Sequence, residues 1–317
     1  MTYNQRKIPY FQEIVQTNQP YSYEMMRKNL RELKETYPFL EIGSIGQSVL
    51  KKDLPYVRIG AGPKKVLYHA GIHGNEWITS VLLMKYIEAF CQAYSSNGTI
   101  AGYSAKKLFQ ETSIYMVPMV NPDTIDLVVG AIPESSREYR HYQAISCYFP
   151  NIPFPDGWKA NFNGVDLNLQ FPAGWRQAQK IKFSKGYRRP APRDFVGRAP
   201  LTEPEAIALY QFTLAHNFAL TISYHTQGEE IYWQFLNYMP KRGKEIGELF
   251  AKLSDYHLTQ VPFASSFAGY KDWFLQTYNK PAYTIEAGLG ENPLSILQFN
   301  KIYQDNLPIL VLGAILA

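Results

Sequence analysis

Four short apolar runs, separated by stretches with helical periodicity, constrain the fold of this chain more than any other feature. The runs are VLYHA at 66–70, IYMVPMV at 114–120, LTISYHT at 220–226 and AYTIEAG at 282–288. Strands that are apolar on both faces belong to sheets covered by helices on both sides, and such sheets are mainly parallel. The pattern therefore predicts an α/β fold with three layers, α/β/α, around a mixed, mostly parallel, twisted sheet.

Helix signals lie between these runs. Ser22 is placed to cap a helix over 22–37, and the segment EWITSVLLMKYIEAF after the first run is apolar almost all round, as in a buried helix. Thr202 and Glu205 have the spacing of a capping box, which predicts a helix that starts at Thr202. The pieces EIGSIG and PYVRIG, before the first run, are short and strand-like.

The composition indicates one folded domain. The chain has 317 residues, of which 46% are hydrophobic, and no internal repeat or low-complexity linker divides it. We expect a single domain over 1–317, with residues 1–20 as an N-terminal extension. The most apolar stretch, PILVLGAILA, has ten residues, whereas a membrane helix needs about 20, so we expect no membrane partner. The N-terminal residues lack the pattern of a secretion signal, which predicts a cytoplasmic location.

The positive charge is concentrated in one segment. The net charge is +5, and eight cationic side chains between Trp175 and Arg198 stand against Asp194 alone. An excess confined to one loop suits a local anionic group better than a nucleic-acid backbone followed across a surface, so we expect no nucleic-acid partner. Arg188 and Arg189 are the candidates for binding such a group. A solvated loop without a ligand is the alternative, and the sequence leaves the oligomeric state open.

A candidate metal site follows from three residues near the ends of these runs. His73 and Glu76 come just after the first run, and His225 lies in the third. Ligands of such sheets bind beyond the carboxyl ends of the strands. A His and a carboxylate three residues apart, completed by a distant His, form the pattern of a catalytic zinc with an open fourth position. We therefore expect one Zn²⁺ per chain, bound by His73, Glu76 and His225.

Four further polar residues lie near strand ends or turns. Glu286 closes YTIE, and Asp166 lies in GVDLN between Lys159 and Asn168. A carboxylate beside a bound water can act as general base, while a cation or an amide can polarise a carbonyl and stabilise its oxyanion. Taken singly, Glu286 is better explained as an ion-paired strand end and Asn168 as a turn former.

In their order along the chain, these motifs resemble those of the zinc carboxypeptidase family from Ser22 to Glu286. In that family the first His and Glu of His-x-x-Glu and a later His bind zinc, and the general base follows the Asp of an Asp-Trp pair by fourteen positions, as Glu286 follows Asp272. The resemblance implies the following roles: zinc ligands His73, Glu76 and His225; general base Glu286; Asp166 as the partner that orients His73; and Asn168 as a substrate contact.

Three departures from the family pattern bear on the substrate. Carboxypeptidases follow the Asn with an Arg that binds the C-terminal carboxylate, and this chain has Leu169 there. Lys159 takes the place of the Arg that polarises the carbonyl, and Ala264 falls at the substrate-covering Tyr. Since a forked guanidinium is what recognises a terminal carboxylate, its loss removes the feature that defines an exopeptidase.

The segments WKANFNGVDLNLQFPAGW and GYKDWF most resemble the bacterial γ-D-glutamyl-L-diamino acid endopeptidases of this family. The resemblance implies hydrolysis of the bond between D-Glu and diaminopimelate or lysine in peptidoglycan stem peptides. Glu286 and Lys159 would be catalytic, and Arg188 and Arg189 would bind substrate carboxylates. The aromatic residues of the long loop 133–160 belong either to the core or to the wall of a substrate cleft, and we expect the cleft; they are Tyr139, Tyr142, Tyr148, Phe149 and Phe154. Two alternatives remain: a zinc deacylase of N-acyl amino acids, because HGNE and DLN also occur in aspartoacylase-like enzymes, and a catalytically silent muropeptide-binding protein.

Overall fold

An eight-stranded sheet forms the centre of the computed structural model, which describes residues 13–317. Residues 1–12, within the expected N-terminal extension, lie outside the described residues. The strands are β1 (Glu41–Gln47), β2 (Asp53–Ile59), β3 (Lys64–His69), β4 (Thr99–Ile100), β5 (Tyr103–Ser104), β6 (Thr112–Val117), β7 (Leu220–His225), β8 (Glu230–Tyr232), β9 (His257–Thr259) and β10 (Ala282–Glu286). The helices are α1 (Tyr23–Thr36), α2 (Ile78–Ser95), α3 (Ala105–Glu111), α4 (Pro122–Val128), α5 (Arg137–Ser146), α6 (Trp175–Ser184), α7 (Pro204–Leu214), α8 (Gly243–Ser254), α9 (Tyr270–Tyr278) and α10 (Phe299–Leu316).

The sheet is mixed, with a parallel centre. Its strand order is β1-β2-β6-β3-β7-β10-β8-β9, while β4 and β5 form a separate hairpin. The four apolar runs form β3, β6, β7 and β10, which lie side by side and pair in parallel. The antiparallel pairs β1/β2, β2/β6 and β10/β8 connect this centre to the outer strands. The prediction of a mixed, mostly parallel α/β sheet is confirmed.

Alternate residues of the central strands enter two different cores, one on each face of the sheet. On β3, Val66 and Tyr68 pack into a cluster formed with α1, α2, α8 and α10, whereas Leu67 packs into a cluster formed with α6, α7 and α9. Successive side chains of a strand point to opposite faces, so both faces must be covered. This arrangement gives the three layers. None of the helices within 13–317 is both long enough and apolar enough to cross a bilayer.

The two predicted helix starts have different outcomes. The Oγ of Ser22 accepts a hydrogen bond from the Met25 amide at 3.3 Å, as expected for the cap of α1. The predicted capping box at Thr202 is wrong, because α7 begins at Pro204 and its N-cap is Glu203. The Thr202 amide and hydroxyl both donate instead to the side-chain oxygen of Gln170, at 2.7 and 3.0 Å.

The aromatic residues of 133–160 form a small core of their own. Tyr142 and Phe154 pack on Trp158 with ring centroids 4.8 and 6.1 Å away, and Tyr139 packs on Phe154. The prediction that these rings wall a cleft is wrong for Tyr139, Tyr142 and Phe154, because they pack with Trp158 in an apolar cluster. That cluster instead supports the loop that carries Lys159.

Candidate active site

Three neighbouring parallel strands bring the candidate residues to one edge of the sheet. His225 and Glu286 are the last residues of β7 and β10 and lie opposite each other in the register. β3 lies on the other side of β7, and its chain continues into a 3-10 turn at Gly74–Glu76 that carries Glu76, with His73 just before it. The site therefore occupies the carboxyl ends of the strands, where the sequence places it.

The turn at Gly74–Glu76 is held against the loop that carries Lys159. The amides of Gly74 and Asn75 donate to the carbonyls of Lys159 and Trp158, each at 3.1 Å. A Cβ on Gly74 would lie 2.2 Å from a methyl carbon of Thr124 and 3.0 Å from the Trp158 carbonyl oxygen. The close approach of two loops and α4 therefore requires a glycine at this position.

His73, Glu76 and His225 form a compact cluster of candidate ligand atoms. The Nδ1 atoms of His73 and His225 lie 2.9 Å from Oε1 and Oε2 of Glu76, respectively. One ligand atom from each residue lies within 4.8 Å of the others, and all three side chains are buried. Two imidazole nitrogens and one carboxylate oxygen, converging from opposite sides, are the donor set of catalytic zinc sites. The residues present therefore fit a zinc ion.

Asp166 orients the first of these imidazoles. Its Oδ1 lies 3.1 Å from Nε2 of His73 and accepts the amide of Asn168 at 3.2 Å, while its Oδ2 accepts the amide of Asp194 at 3.1 Å. A carboxylate on the outer nitrogen fixes the imidazole ring so that the other nitrogen faces the metal position. The structure thus gives Asp166 the contact that the resemblance implies.

The charges of the cluster balance one another. Burial opposes ionisation of Glu76, but His73, Lys159 and His225 outweigh it and hold the pKa of this carboxyl well below its usual range. Burial likewise opposes the charged form of His73, yet Glu76 and Asp166 raise its pKa to about 9. A metal that binds this cluster must therefore displace a proton from His73, so its affinity rises with pH.

Lys159, Asn168 and Glu286 lie in the same cavity as the cluster, which has a volume of about 630 Å³. The Nζ of Lys159 donates to Oε1 of Glu76 at 2.6 Å. The Asn168 amide nitrogen lies 3.5 Å from Nε2 of His225, and its oxygen accepts the Tyr270 amide at 3.1 Å. Burial raises the pKa of Glu286, the opposite of the shift at Glu76.

Arg188 and Arg189 lie outside this cavity. Both are exposed; the Arg188 Nε donates to the carbonyl of Phe183 at 3.0 Å, and the Arg189 guanidinium lies over the ring of Tyr148. Two other cationic residues of the segment 176–198, Lys182 and Arg193, line the cavity instead. The expectation that Arg188 and Arg189 contact substrate has no support from this geometry.

Sequence reasoning did not single out three cationic lining residues. They are Lys182, Arg193 and Lys271. A signal for Lys182 exists, because it follows Trp175 and Ala178 at helical spacing and shares their buried face of α6. Arg193 lies in an irregular segment, where no periodicity indicates which side chains point inward.

The positions that depart from the family pattern also surround the cavity. Leu169 lines it and packs into the apolar core beneath it, so no cation replaces the missing Arg at that position. Ala264 lies in a 3-10 turn over Phe263–Ser265 at the rim. Tyr270 is fully buried, and its hydroxyl lies 3.0 Å from Thr213, so it does not face the cavity. Tyr232 does line the cavity.

A three-layer α/β/α fold, with this set of His, Glu and His at the carboxyl ends of its central strands, defines a zinc peptidase of the carboxypeptidase type. A family profile described as zinc carboxypeptidase matches residues 26–307, and the chain belongs to that family. The resemblance inferred from the motifs is thereby confirmed, as are the hydrolase class and zinc as its metal.

Individual relatives agree with this assignment. The chain is 41% identical over 300 residues to the γ-D-glutamyl-L-diamino acid endopeptidase 1 of Lysinibacillus sphaericus, covering 95% of this chain and 74% of that protein. It is 37% identical to the uncharacterised protein YqgT of Bacillus subtilis strain 168, covering 89% of this chain and 74% of that protein. The carboxypeptidase A structure from Helicoverpa armigera superposes with a TM-score of 0.69 at 19% identity, covering 94% of this chain and 74% of that one.

Proposed function

We propose that this protein is a zinc peptidase that hydrolyses the amide bond between the γ-carboxyl group of D-Glu and a diamino acid in peptidoglycan stem peptides. The observation that carries the proposal is the 41% identity, over 95% of the chain, to a relative named for this activity. The partner is then a stem peptide or a muropeptide. The cytoplasmic location expected from the sequence stays a prediction, which cell fractionation would test.

The distribution of cationic side chains in the cavity supports an internal or side-chain amide as the scissile bond. Leu169 takes the position of the Arg that clamps the terminal carboxylate in carboxypeptidases, and it is 6% exposed. A buried leucine cannot bind a carboxylate. Cations lie elsewhere in the cavity, at Lys159, Lys182, Arg193 and Lys271, which suits a substrate with carboxylates on both sides of its scissile bond.

In the proposed reaction His73, Glu76 and His225 would hold the zinc. Zinc bound there would polarise a carbonyl and lower the pKa of water. Glu286 accepts a proton from the attacking water, whose oxygen bonds to the γ-carbonyl carbon. Glu286 then passes this proton to the leaving amine as the C–N bond breaks, so that one water is consumed per amide.

Two further residues of the cavity contact the substrate in this proposal. The ammonium of Lys159, whose side chain is 16% exposed, stabilises negative charge that develops on the carbonyl oxygen. The Asn168 side chain, held through its oxygen by the Tyr270 amide, presents its nitrogen to the substrate. Asp166 keeps His73 in place throughout.

Mass spectrometry of the products from a defined stem peptide tests the proposal. The zinc-loaded protein is incubated with L-alanyl-γ-D-glutamyl-diaminopimelate and with the lysine analogue. We expect L-alanyl-D-glutamate and the free diamino acid from one or both. Loss of turnover in chelator and its recovery on addition of zinc would show that the metal is required.

The two alternatives predict different results in the same assay. A deacylase would cleave N-acyl amino acids and leave both peptides intact. A silent binding protein would bind muropeptide without releasing any product, even when it is loaded with zinc. Either result would reject the proposed activity, and the relative rates on the two peptides would reveal the preferred diamino acid.

A further inference from the structure

Among the cationic side chains that line the cavity within residues 13–317, Arg193 is the only guanidinium, and so the only one that can bind a carboxylate through a fork. The ammoniums of Lys159 and Lys271 each lie 2.6 Å from a carboxylate oxygen, of Glu76 and Asp272, respectively, and that of Lys182 contacts Asp194. Arg193 donates through Nε to Oδ2 of Asp194 at 2.9 Å. Its Nη1 and Nη2 donate to no side chain or carbonyl in the described part, and its side chain is 42% exposed.

Asp194 fixes the direction of this guanidinium. Its carboxylate lies between Lys182 and Arg193, and its amide donates to Oδ2 of Asp166 at 3.1 Å. The backbone of Asp194 is left-handed, with a φ of 66°, a conformation that is unfavourable for a residue with a Cβ. Because Asp194 occupies the Nε edge, the forked end formed by Nη1 and Nη2 remains for an external carboxylate.

Arg193 also lies next to the residues proposed to act on the scissile carbonyl. The carbonyl of Pro192 accepts the amides of Lys159 and Ala160, each at 2.8 Å. Asp166, which receives the Asp194 amide, contacts His73. A short chain of contacts therefore joins the guanidinium to His73 of the candidate metal site, through Asp194 and Asp166.

A γ-linked D-glutamyl residue carries a matching anion. Its α-carboxylate is free, and only two methylenes and the α-carbon separate this group from the scissile γ-carbonyl. An amidated residue, D-isoglutamine, has the same shape but is neutral there. We propose, resting on the proposed function, that Arg193 determines specificity by binding this α-carboxylate, so that the enzyme discriminates against stem peptides with an amidated D-Glu.

Paired substrates test this inference. For the diamino acid that the wild type prefers, diaminopimelate or lysine, the L-alanyl-γ-D-glutamyl peptide is compared with its α-amidated counterpart, in which D-isoglutamine replaces D-Glu, for wild type and for Arg193→Gln. We expect wild-type kcat/KM to be at least about tenfold higher for the free acid, since a charge-assisted, forked contact is lost with the amide. Arg193→Gln should lower kcat/KM for the free acid to about that of the amidated peptide and leave the amidated peptide within about threefold.

Three further variants make the test specific. Arg193→Lys keeps the charge but loses the fork and should restore part of the preference. Lys180→Gln removes an exposed cation of α6 that lies outside the cavity lining and should keep the full ratio. If Arg188→Gln abolishes the ratio while Arg193→Gln keeps it, the inference is wrong.

The outcomes separate the inference from the proposed function. A wild type that cleaves both peptides equally, or an Arg193→Gln variant that loses both activities to the same extent with unchanged zinc content, rejects the role of Arg193 and leaves the endopeptidase activity standing. A wild type that cleaves neither peptide rejects the proposed function and the inference with it.

Discussion

Glu76 and Glu286 are carboxylates in one cavity whose surroundings push their pKa values in opposite directions. Glu76 contacts two imidazoles and one ammonium, so the pKa of its carboxyl falls and it remains an anion suited to binding a cation. Glu286 experiences mainly burial, which raises its pKa and favours proton exchange. When surroundings shift the pKa values of two carboxyls apart in this way, one is suited to bind a metal and the other to act as an acid or base.

Replacing Glu286 by Gln is expected to abolish proton transfer without disturbing the metal ligands. The amide has the same shape but cannot accept the proton, so we predict a fall in kcat of about 10³-fold. Zinc content, measured by atomic absorption, should remain at one per chain. Glu248→Gln, an exposed carboxylate on α8, is the control. A variant that keeps near wild-type kcat would exclude Glu286 as the base.

For individual residues of the site, the sequence predicted those that adjoin strand ends and missed those that reach the cavity from irregular backbone. His73, Glu76, His225 and Glu286 come together because three parallel strands end side by side, which the apolar runs already indicate. Arg193 faces the same cavity through the local backbone around Asp194 and its ion pairs. Such placement depends on tertiary contacts, and the chain carries no periodic signal for it.

Among the elements, the 3-10 turn at Gly74–Glu76 connects the candidate zinc ligands to the loop that carries Lys159. The turn and the loop are joined by two amide-to-carbonyl hydrogen bonds of 3.1 Å, and Gly74 sits against Thr124 of α4. A displacement here would move His73 and Lys159 together. Errors of about 1 Å in catalytic geometry are enough to lower rates by about 10²-fold.

Gly74→Ala is therefore expected to impair both activity and stability. The new methyl would lie 2.2 Å from a Thr124 carbon, and the required shift should cost about 1–3 kcal/mol of unfolding free energy. We predict a loss of kcat/KM of at least about tenfold. Urea unfolding and steady-state kinetics on the same preparation measure both.

Gly243→Ala is the matched control for that prediction. A Cβ at this first residue of α8 would meet its nearest neighbour at an ordinary 3.6 Å. We expect kinetics like those of wild type and a change in stability within about 0.5 kcal/mol. Equal effects of the two substitutions would mean that the close approach at Gly74 does not set the site geometry.

The elements themselves were predictable to the extent that they carry a long apolar pattern. The four central strands and α1 lie where their patterns place them, because burial on one or two faces leaves a clear signature. β8 and β9, with three residues each, were not predicted. Strands this short carry too little alternation to be distinguished from loop, and their pairing depends on the already formed edge at β10.

For the whole molecule, zinc would link segments that are far apart in sequence. Glu76 and His225 are separated by 149 residues; Glu76 follows β3, and His225 ends the neighbouring strand β7. A ligand that binds the folded chain and not the unfolded chain stabilises it by mass action. A bound zinc would therefore contribute to global stability as well as to chemistry.

Thermal unfolding with and without zinc should measure this contribution. At free zinc about 100-fold above Kd we predict about 2.7 kcal/mol of stabilisation, and a rise in Tm of about 5 °C relative to the chelated protein. Glu76→Ala should abolish the zinc-dependent rise, whereas His257→Ala, which removes an exposed histidine on β9, should keep it. A zinc-dependent rise that survives in Glu76→Ala would place the metal elsewhere.

A buried carboxylate away from the metal should make global stability depend on pH. Glu205 of α7 accepts the Val49 amide at 3.0 Å and the Asn161 side chain at 3.1 Å, and so joins three separate segments. Burial raises its pKa from the ordinary 4.5 to about 7, with a further contribution from Asp123. The folded chain therefore holds this proton at pH values where the unfolded chain has released it.

The sign of the effect follows from that difference in bound protons. Between about pH 4.5 and pH 7 the folded state binds more protons at Glu205 than the unfolded state does, so the free energy of unfolding falls as pH rises through this window, by up to about 3 kcal/mol. Glu205→Gln cannot release a proton and should flatten the decline, whatever its effect on absolute stability. Urea unfolding of both proteins in chelator, from about pH 5 to about pH 8, measures the slopes, with Glu248→Gln as a control that keeps the wild-type slope. Parallel curves for wild type and Glu205→Gln would show that Glu205 is already ionised in the folded protein below neutral pH.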